Sequence, residues 1–120
     1  MKNKNTYTKG KIGEYFTILI YLFMGFRVIK IRYQSRLGEI DLIFRRGNLI
    51  VFCEVKTRIN LEKNYDITNI VSEFQKNRII NSANNFIAKS YRYRNFQYRF
   101  DLVIVKSFFK LPIIYKNTWM

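Results

Sequence analysis

The sequence predicts a mixed α/β domain, running helix, strand, β-hairpin, helix, strand, with the hairpin at the centre of the sheet and the helices flanking it. Three observations predict this. Within the stretch Leu37 to Arg58, Gly47-Asn48 separates two apolar runs and is a two-residue hairpin signal. Both runs are apolar on both faces near that turn, as central strands are. Outside them, apolar residues recur at three- and four-residue spacing, as in helices.

In chain order, residues 1–9 are polar and expected to be loose, which leaves one domain over residues 10–120. A helix is expected from Lys11 to Met24, stopped by Gly25. Its apolar residues nearly encircle it, which predicts burial or packing on two sides. Glu14 falls in its first turn, where an acid favours the helix dipole. Phe26–Tyr33 reads as a strand, with Arg36 and Gly38 in the connection to the hairpin. Residues 59–66 are mostly polar and expected to be a flexible loop. A second helix then runs from about Ile67 to Ala88, unless Ser72-x-x-Gln75 acts as a capping box and starts it late.

Lys76 and Arg78 lie on or beside the less apolar side of that helix, either to hold phosphate or as a solvated face. Residues 89–99 interleave Lys89, Arg92, Arg94 and Arg99 with Tyr91, Tyr93, Phe96 and Tyr98. Such a stretch suits stacking on exposed bases, and equally suits a solvated turn whose rings cover the core edge. Phe100–Lys106 is the closing strand, with Asp101 on the face of Val103 and Val105. Pro112 suits an edge strand or turn, and Ile113, Ile114, Tyr115 and Trp119 are expected to finish the core.

The hairpin carries acids where acids are costly. With Gly47-Asn48 as the loop, Arg46 faces Leu49, Asp41 faces Glu54 and Glu39 faces Lys56. One face then sets Ile40, Leu42 and Phe44 against Val55, Cys53 and Val51; the acid-bearing face sets Ile43 against Phe52. Facing side chains sit roughly 4.5–5.5 Å apart at Cβ, and like charges so placed repel, more strongly when buried. A hard cation such as Mg²⁺ or Mn²⁺ relieves that repulsion, binding one or two carboxylates plus waters. Lys56 shares the face of Glu54 while Val55 points away. An aspartate opposite Glu-x-Lys is thus a compact site for a metal and a phosphate. The competing reading is a half-exposed hairpin whose acids pair with nearby lysines and arginines.

Composition narrows the function classes. Lysine and arginine number 22 against 8 acids, a formal charge of +14 spread along 120 residues, which points to a polyanionic partner, nucleic acid being the commonest. Compositional drift without a partner is the bland alternative. Three of the 8 acids, Glu39, Asp41 and Glu54, fall in the one hairpin, which drift explains poorly. There is no histidine, so a His-based triad and a His-rich zinc site are excluded. Cys53 is the only cysteine, so no internal disulfide forms, which fits a reducing compartment. The apolar run Tyr15–Met24 is shorter than the roughly 20 residues a membrane span needs. Lys2, Lys4 and Lys9 precede it, but Glu14 interrupts and no small-residue cleavage site follows. A cytoplasmic protein without a membrane partner is expected.

Asp41 followed by Glu54-Val55-Lys56 resembles the PD-(D/E)xK nuclease superfamily, with a spacing similar to that of archaeal Holliday junction resolvases. More closely, the chain is similar to the YraN family of small bacterial proteins. That resemblance runs from about Gly10 to Val105. It rests on Gly10, Gly13 and Glu14; Gly25; Gly38-Glu39-Ile40-Asp41-Leu42-Ile43; Val51-Phe52 with Glu54-Val55-Lys56 and Arg58; Lys76, Arg78 and Ile79; and Arg99-Phe100-Asp101. A bare D…ExK is weakly specific, but its combination with GEIDLI and RFD is strong. Thr17 stands where a small alanine is expected and Cys53 where valine is expected. The loop before the second helix lacks an expected glycine, which bears on substrate contacts more than on chemistry.

The resemblance implies a restriction-endonuclease-like fold, an endonuclease cutting DNA with Mg²⁺ or Mn²⁺, branched or junction DNA among the substrates, and a place in DNA repair. It implies that Asp41 and Glu54 bind the metal, that Lys56 positions or activates the attacking water, and that Glu14 completes the metal site from the helix. Glu39 supports the site from opposite Lys56, a structural ion pair being the preferred reading. Nucleic-acid contacts are expected from Arg36, Arg58, Lys76, Arg78, Arg92 and Arg94. Asp101 is expected to be the buried partner of an arginine. DNA is expected ahead of RNA, and a homodimer if the substrate is a two-fold symmetric junction. The alternatives are a non-catalytic nucleic-acid-binding module and an RNA or ribonucleoprotein assembly factor.

Overall fold

The computed structural model describes residues 4–59 and 71–118, with side chains from Tyr7 onward. The expected loop over 59–66 falls almost wholly outside them, as do the early start of the second helix at Ile67 and the core role of Trp119. The elements are α1 (Lys4–Phe23), β1 (Arg27–Ser35), β2 (Gly38–Arg46), β3 (Leu49–Thr57), α2 (Glu73–Lys89), a 3₁₀ turn (Tyr91–Tyr93), β4 (Gln97–Val105) and β5 (Ile113–Tyr115). The sheet order is β1-β2-β3-β4-β5, parallel between β3 and β4 and antiparallel elsewhere. The hairpin β2–β3 is therefore central, as the sequence predicts. The architecture is consistent with a restriction-endonuclease-like fold.

The two helices cover opposite faces. Tyr21 and Phe26 pack with Leu42, Phe44, Val51, Cys53, Val103 and Val105 on the α1 side. Ile79, Ala83 and Phe86 of α2 pack with Ile43, Ile50, Phe52, Phe100, Leu102 and Ile104 on the other. This matches the alternation read from the hairpin, with one correction: Ile40 belongs to the α2 side, not with Leu42 and Phe44. The pleat is broken at Asp41, between Ile40 and Leu42.

α1 starts at Lys4, so described residues expected to be loose are helical. No proline interrupts them, and a helical glycine such as Gly10 costs only about 1 kcal/mol. Glu14 consequently lies mid-helix, where the macrodipole does not reach it, and that account of its presence falls. The helix ends as expected at Gly25, whose φ of +89° suits glycine. Phe26 N–H bonds Tyr21 C=O at 2.9 Å and Gly25 N–H bonds Leu22 C=O at 3.0 Å. The Tyr21 and Phe26 rings close the motif edge-to-face, 5.3 Å apart. The expectation that α1 packs on two sides is not met. Only one side meets the sheet, and Tyr15, Leu19, Leu22 and Phe23 are exposed.

Glycine sets how closely the helices approach. A Cβ on Gly13 would lie 2.1 Å from Thr57 Oγ1, so α1 lies against the end of β3. A Cβ on Gly38 would lie 3.0 Å from Arg78 Cβ, so α2 lies against the start of β2. α2 starts late, as the capping signal allows, with Ser72 Oγ accepting from Gln75 N–H at 3.1 Å.

Residues 89–99 form no open binding loop. They comprise the end of α2, the 3₁₀ turn and the start of β4. Tyr93 is buried and stacks on Phe86 at 5.9 Å, Phe96 meets it edge-to-face at 5.2 Å, and only Tyr91 stands well clear. Asp101 is fully buried and takes Arg99 in a two-point pair at 2.8 and 2.9 Å, as expected of an arginine's partner; Tyr21 Oη donates to it at 2.6 Å. Pro112 precedes β5, an edge strand.

Candidate active site

The register read from the turn holds for five pairs, from Arg46–Leu49 to Leu42–Cys53. There the ladder stops. Asp41 Oδ2 accepts the Val55 N–H at 2.8 Å, so a side chain replaces the backbone bond that would continue it. The strands part at this point, which turns Ile40 to the α2 face and points the Asp41 carboxylate between the strands.

Glu54 remains opposite it. Glu54 is only 5% exposed. Burial, first, and the Asp41 carboxylate, second, raise Glu54 well above the ordinary carboxylate range. Lys56 Nζ lies 3.7 Å from Glu54 Oε2, on the face the pleat predicts. Sequence reasoning assigned Gln75 to the helix cap alone. Its Nε2 also donates to Glu54 Oε2 at 2.7 Å. The signal that would have found it is the cap itself, since a side chain in the first turn of α2 faces the strand end beneath it.

Glu14 reaches the same cleft from α1. Its Oε1 lies 3.1 Å from the guanidinium of Arg32. Burial and the nearby Asp41 carboxylate raise its pKa, and Arg32 opposes them. Among the described residues no three His, Cys, Asp or Glu side chains converge as a metal-holding group. Asp41 and Glu54 meet, and Glu14 is turned to Arg32. The donor set still fits a hard divalent cation, because two facing carboxylates, one of them buried, repel each other and a cation would relieve that repulsion.

These groups line one open cleft of about 1130 Å³. Of the residues expected from sequence, Glu14, Glu39, Asp41, Glu54, Lys56, Arg58 and Arg78 line it. Arg58 is seated there because its N–H continues the β3–β4 pairing to Val105 C=O at 2.9 Å. Glu39 forms no ion pair with Lys56 among the described residues, because the ladder that would oppose them has ended; it is exposed and sits opposite Gln34 of β1. Arg36 is exposed in the β1–β2 turn beside the cleft. Lys76 pairs with Glu73 at 3.3 Å. Arg92 and Arg94 are not brought to the site. They come after the far end of α2, whose 17 residues span roughly 25 Å.

The chain is similar to known proteins over most of its length. Residues 13–105 match the model of a family described as Uncharacterised protein family UPF0102. A UPF0102 protein of Rhizobium meliloti is 35% identical over 97 residues, 81% of this chain and 77% of that protein. One from Mesorhizobium japonicum is 35% identical over 116 residues, 97% of this chain and 90% of that protein. One from Dictyoglomus turgidum is 34% identical over 105 residues, 88% and 85% respectively. Among the described residues no helix is long and apolar enough to cross a membrane.

Proposed function

The chain belongs to the UPF0102 family, the YraN family of the sequence resemblance, and on that basis we propose that it is a metal-dependent endonuclease that hydrolyses phosphodiester bonds in DNA, branched or junction DNA in particular. One observation carries the reading. Asp41 and the buried Glu54 face each other where two central strands part, with the Lys56 ammonium 3.7 Å from Glu54, in a protein of charge +14.

In this reading Asp41 and Glu54 hold Mg²⁺ or Mn²⁺ and Glu14 is the further ligand. Bound there, the cation would lower the pKa of its water and stabilise charge growing on the phosphoryl oxygens. Lys56 adds a positive charge beside the same phosphate and orients the attacking water. Gln75 fixes the aim of Glu54, as outer partners of metal ligands do. Arg58 and Arg78, on the cleft wall, meet the flanking phosphates, and Arg36 extends that surface. A two-fold symmetric junction would be met by a homodimer.

The test is cleavage of labelled duplex, single-stranded, flap and four-way DNA with Mg²⁺ or Mn²⁺. Cutting that disappears in both Asp41→Asn and Lys56→Ala supports the reading; no cutting of any substrate counts against it. The absence of three converging acids among the described residues favours a second reading, a nucleic-acid-binding module without catalysis. In that case Asp41→Asn keeps or raises affinity, because a charge that repels phosphate is removed. RNA substrates in the same assay separate an RNA or ribonucleoprotein role from a DNA one.

A further inference from the structure

Arg32 is the one residue of β1 held in the left-handed region, at φ +53°, where an L side chain is strained. Such strain persists where the surroundings hold it, commonly at functional sites. It lies between the Ile31–Leu42 and Tyr33–Ile40 pairs, level with Asp41 on the neighbouring strand. The conformation sends its guanidinium to Glu14 at 3.1 Å, over the ring of Tyr7 at 5.9 Å from the centroid. Arg32 and Glu14 both line the cleft of Asp41 and Glu54. The Arg32 side chain keeps 33% of its surface exposed, so the guanidinium has room to move.

We propose that Arg32 is a phosphate-binding residue of this cleft, parked on Glu14 until a divalent cation takes that carboxylate. The inference rests on the metal-site reading above. A cation seated between Asp41 and Glu54 competes with the guanidinium for Glu14, since one carboxylate serves both only at the expense of each. Arg32 is then left in the cleft without its partner, beside the place where a nucleic-acid phosphate meets the metal. A guanidinium presents a planar fork of donors that matches two phosphate oxygens, which an ammonium group does not. Metal and nucleic acid are thereby coupled through one side chain, and such coupling is reciprocal.

The experiment measures Mn²⁺ affinity by calorimetry for the wild type, Arg32→Asn, Arg32→Gly, Asp41→Asn and the double variant Arg32→Asn/Glu14→Gln. Asn and Gly both tolerate the left-handed backbone, so the fold is kept, and thermal melts check it. Removing Arg32 should tighten Mn²⁺ binding about five- to tenfold, at the low end of the roughly 5- to 150-fold range of couplings between two ligands. The gain should vanish in the double variant. Short-duplex affinity is read by fluorescence anisotropy with Ca²⁺ in place of Mg²⁺, on uncut DNA. It should fall about fivefold in Arg32→Asn, the effect of one lost charged phosphate contact. Mn²⁺ affinity that is unchanged or weaker in both Arg32 variants overturns the inference and leaves the metal site standing. Tighter Mn²⁺ with unchanged duplex affinity also overturns it, because the released guanidinium then holds no phosphate. Mn²⁺ bound neither by the wild type nor by the Arg32 variants overturns the metal site and the inference together. Binding by the wild type that survives Asp41→Asn overturns the site's assignment, and the inference with it.

Discussion

Gln75 Nε2 donates to Glu54 Oε2 at 2.7 Å, so the first turn of α2 holds the most deeply buried acid of the cleft. The contact joins a helix to a strand 21 residues earlier in the chain. It sits beside a cap that Gln75 also serves, through its backbone N–H on Ser72 Oγ.

Gln75→Ala keeps that backbone bond and removes only the amide. If the nuclease reading holds, cutting should fall by about 10- to 100-fold, the usual effect of losing an outer partner of a metal ligand. Gln75→Glu should be worse, since it sets a further carboxylate against Glu54, which burial and Asp41 already make costly to ionise. Steady-state cleavage at saturating Mg²⁺, alongside melting curves, checks both. Unchanged rates in Gln75→Ala would restrict Gln75 to capping.

Glu54 makes stability depend on pH. Its raised pKa means the folded protein keeps a proton that the unfolded chain releases above an ordinary value of 4.5. The protonated form's contribution is complete below that value and declines as pH rises toward the folded-state value. Glu54→Gln carries no titrating group. In metal-free melts, its melting temperature relative to the wild type should climb as pH rises above 4.5. A difference that stays flat across that range would refute the upward shift of Glu54.

Gly13 and Thr57 set the approach of α1. Gly13→Ala forces a Cβ to 2.1 Å from Thr57 Oγ1 and should cost about 1–3 kcal/mol, as overpacking does. Among the described residues the buried Thr57 Oγ1 has no hydrogen-bond partner, so Thr57→Ala removes the obstacle at little loss. In that background Gly13→Ala should cost less than about 1 kcal/mol, because alanine's helix propensity offsets residual crowding. Chemical denaturation of the four proteins measures the coupling, and additive costs would count against the contact.

Asp101 is buried with Arg99 on the opposite face of the sheet from Glu54. Asp101→Ala leaves a guanidinium only 15% exposed without its partner and should destabilise by about 3–5 kcal/mol. If the nuclease reading holds, its folded fraction should cut DNA as the wild type does. A selective loss of cutting with normal stability would give Asp101 a role that its contacts do not suggest.

Cys53 is fully buried, and burial, first among the causes, pushes its thiol well above the ordinary range. It should resist thiol reagents in the native protein and react fully in denaturant. Fast native labelling would mean that the centre of β3 opens.

Local rules alone determined a good part of this molecule. A two-residue turn and a two-residue side-chain period were enough to pair Leu42 with Cys53 and to put Glu54 and Lys56 on one face. Gly25 was enough to end α1, and an apolar hairpin to sit mid-sheet. The remaining features came from packing, because they depend on segments far apart in the chain. Asp41 ends the ladder by taking the Val55 N–H, which cancels the expected Glu39–Lys56 pair. Gln75 and Arg32 enter the site because α2 and β1 converge on the strand ends; the Ser72 cap marks where α2 begins, and packing decides what its first turn meets. Likewise the rings of residues 89–99 became core rather than a stacking surface once Phe86 stood beneath Tyr93. Periodicity fixes which way a side chain points from its own element; what it meets there is set by packing between elements.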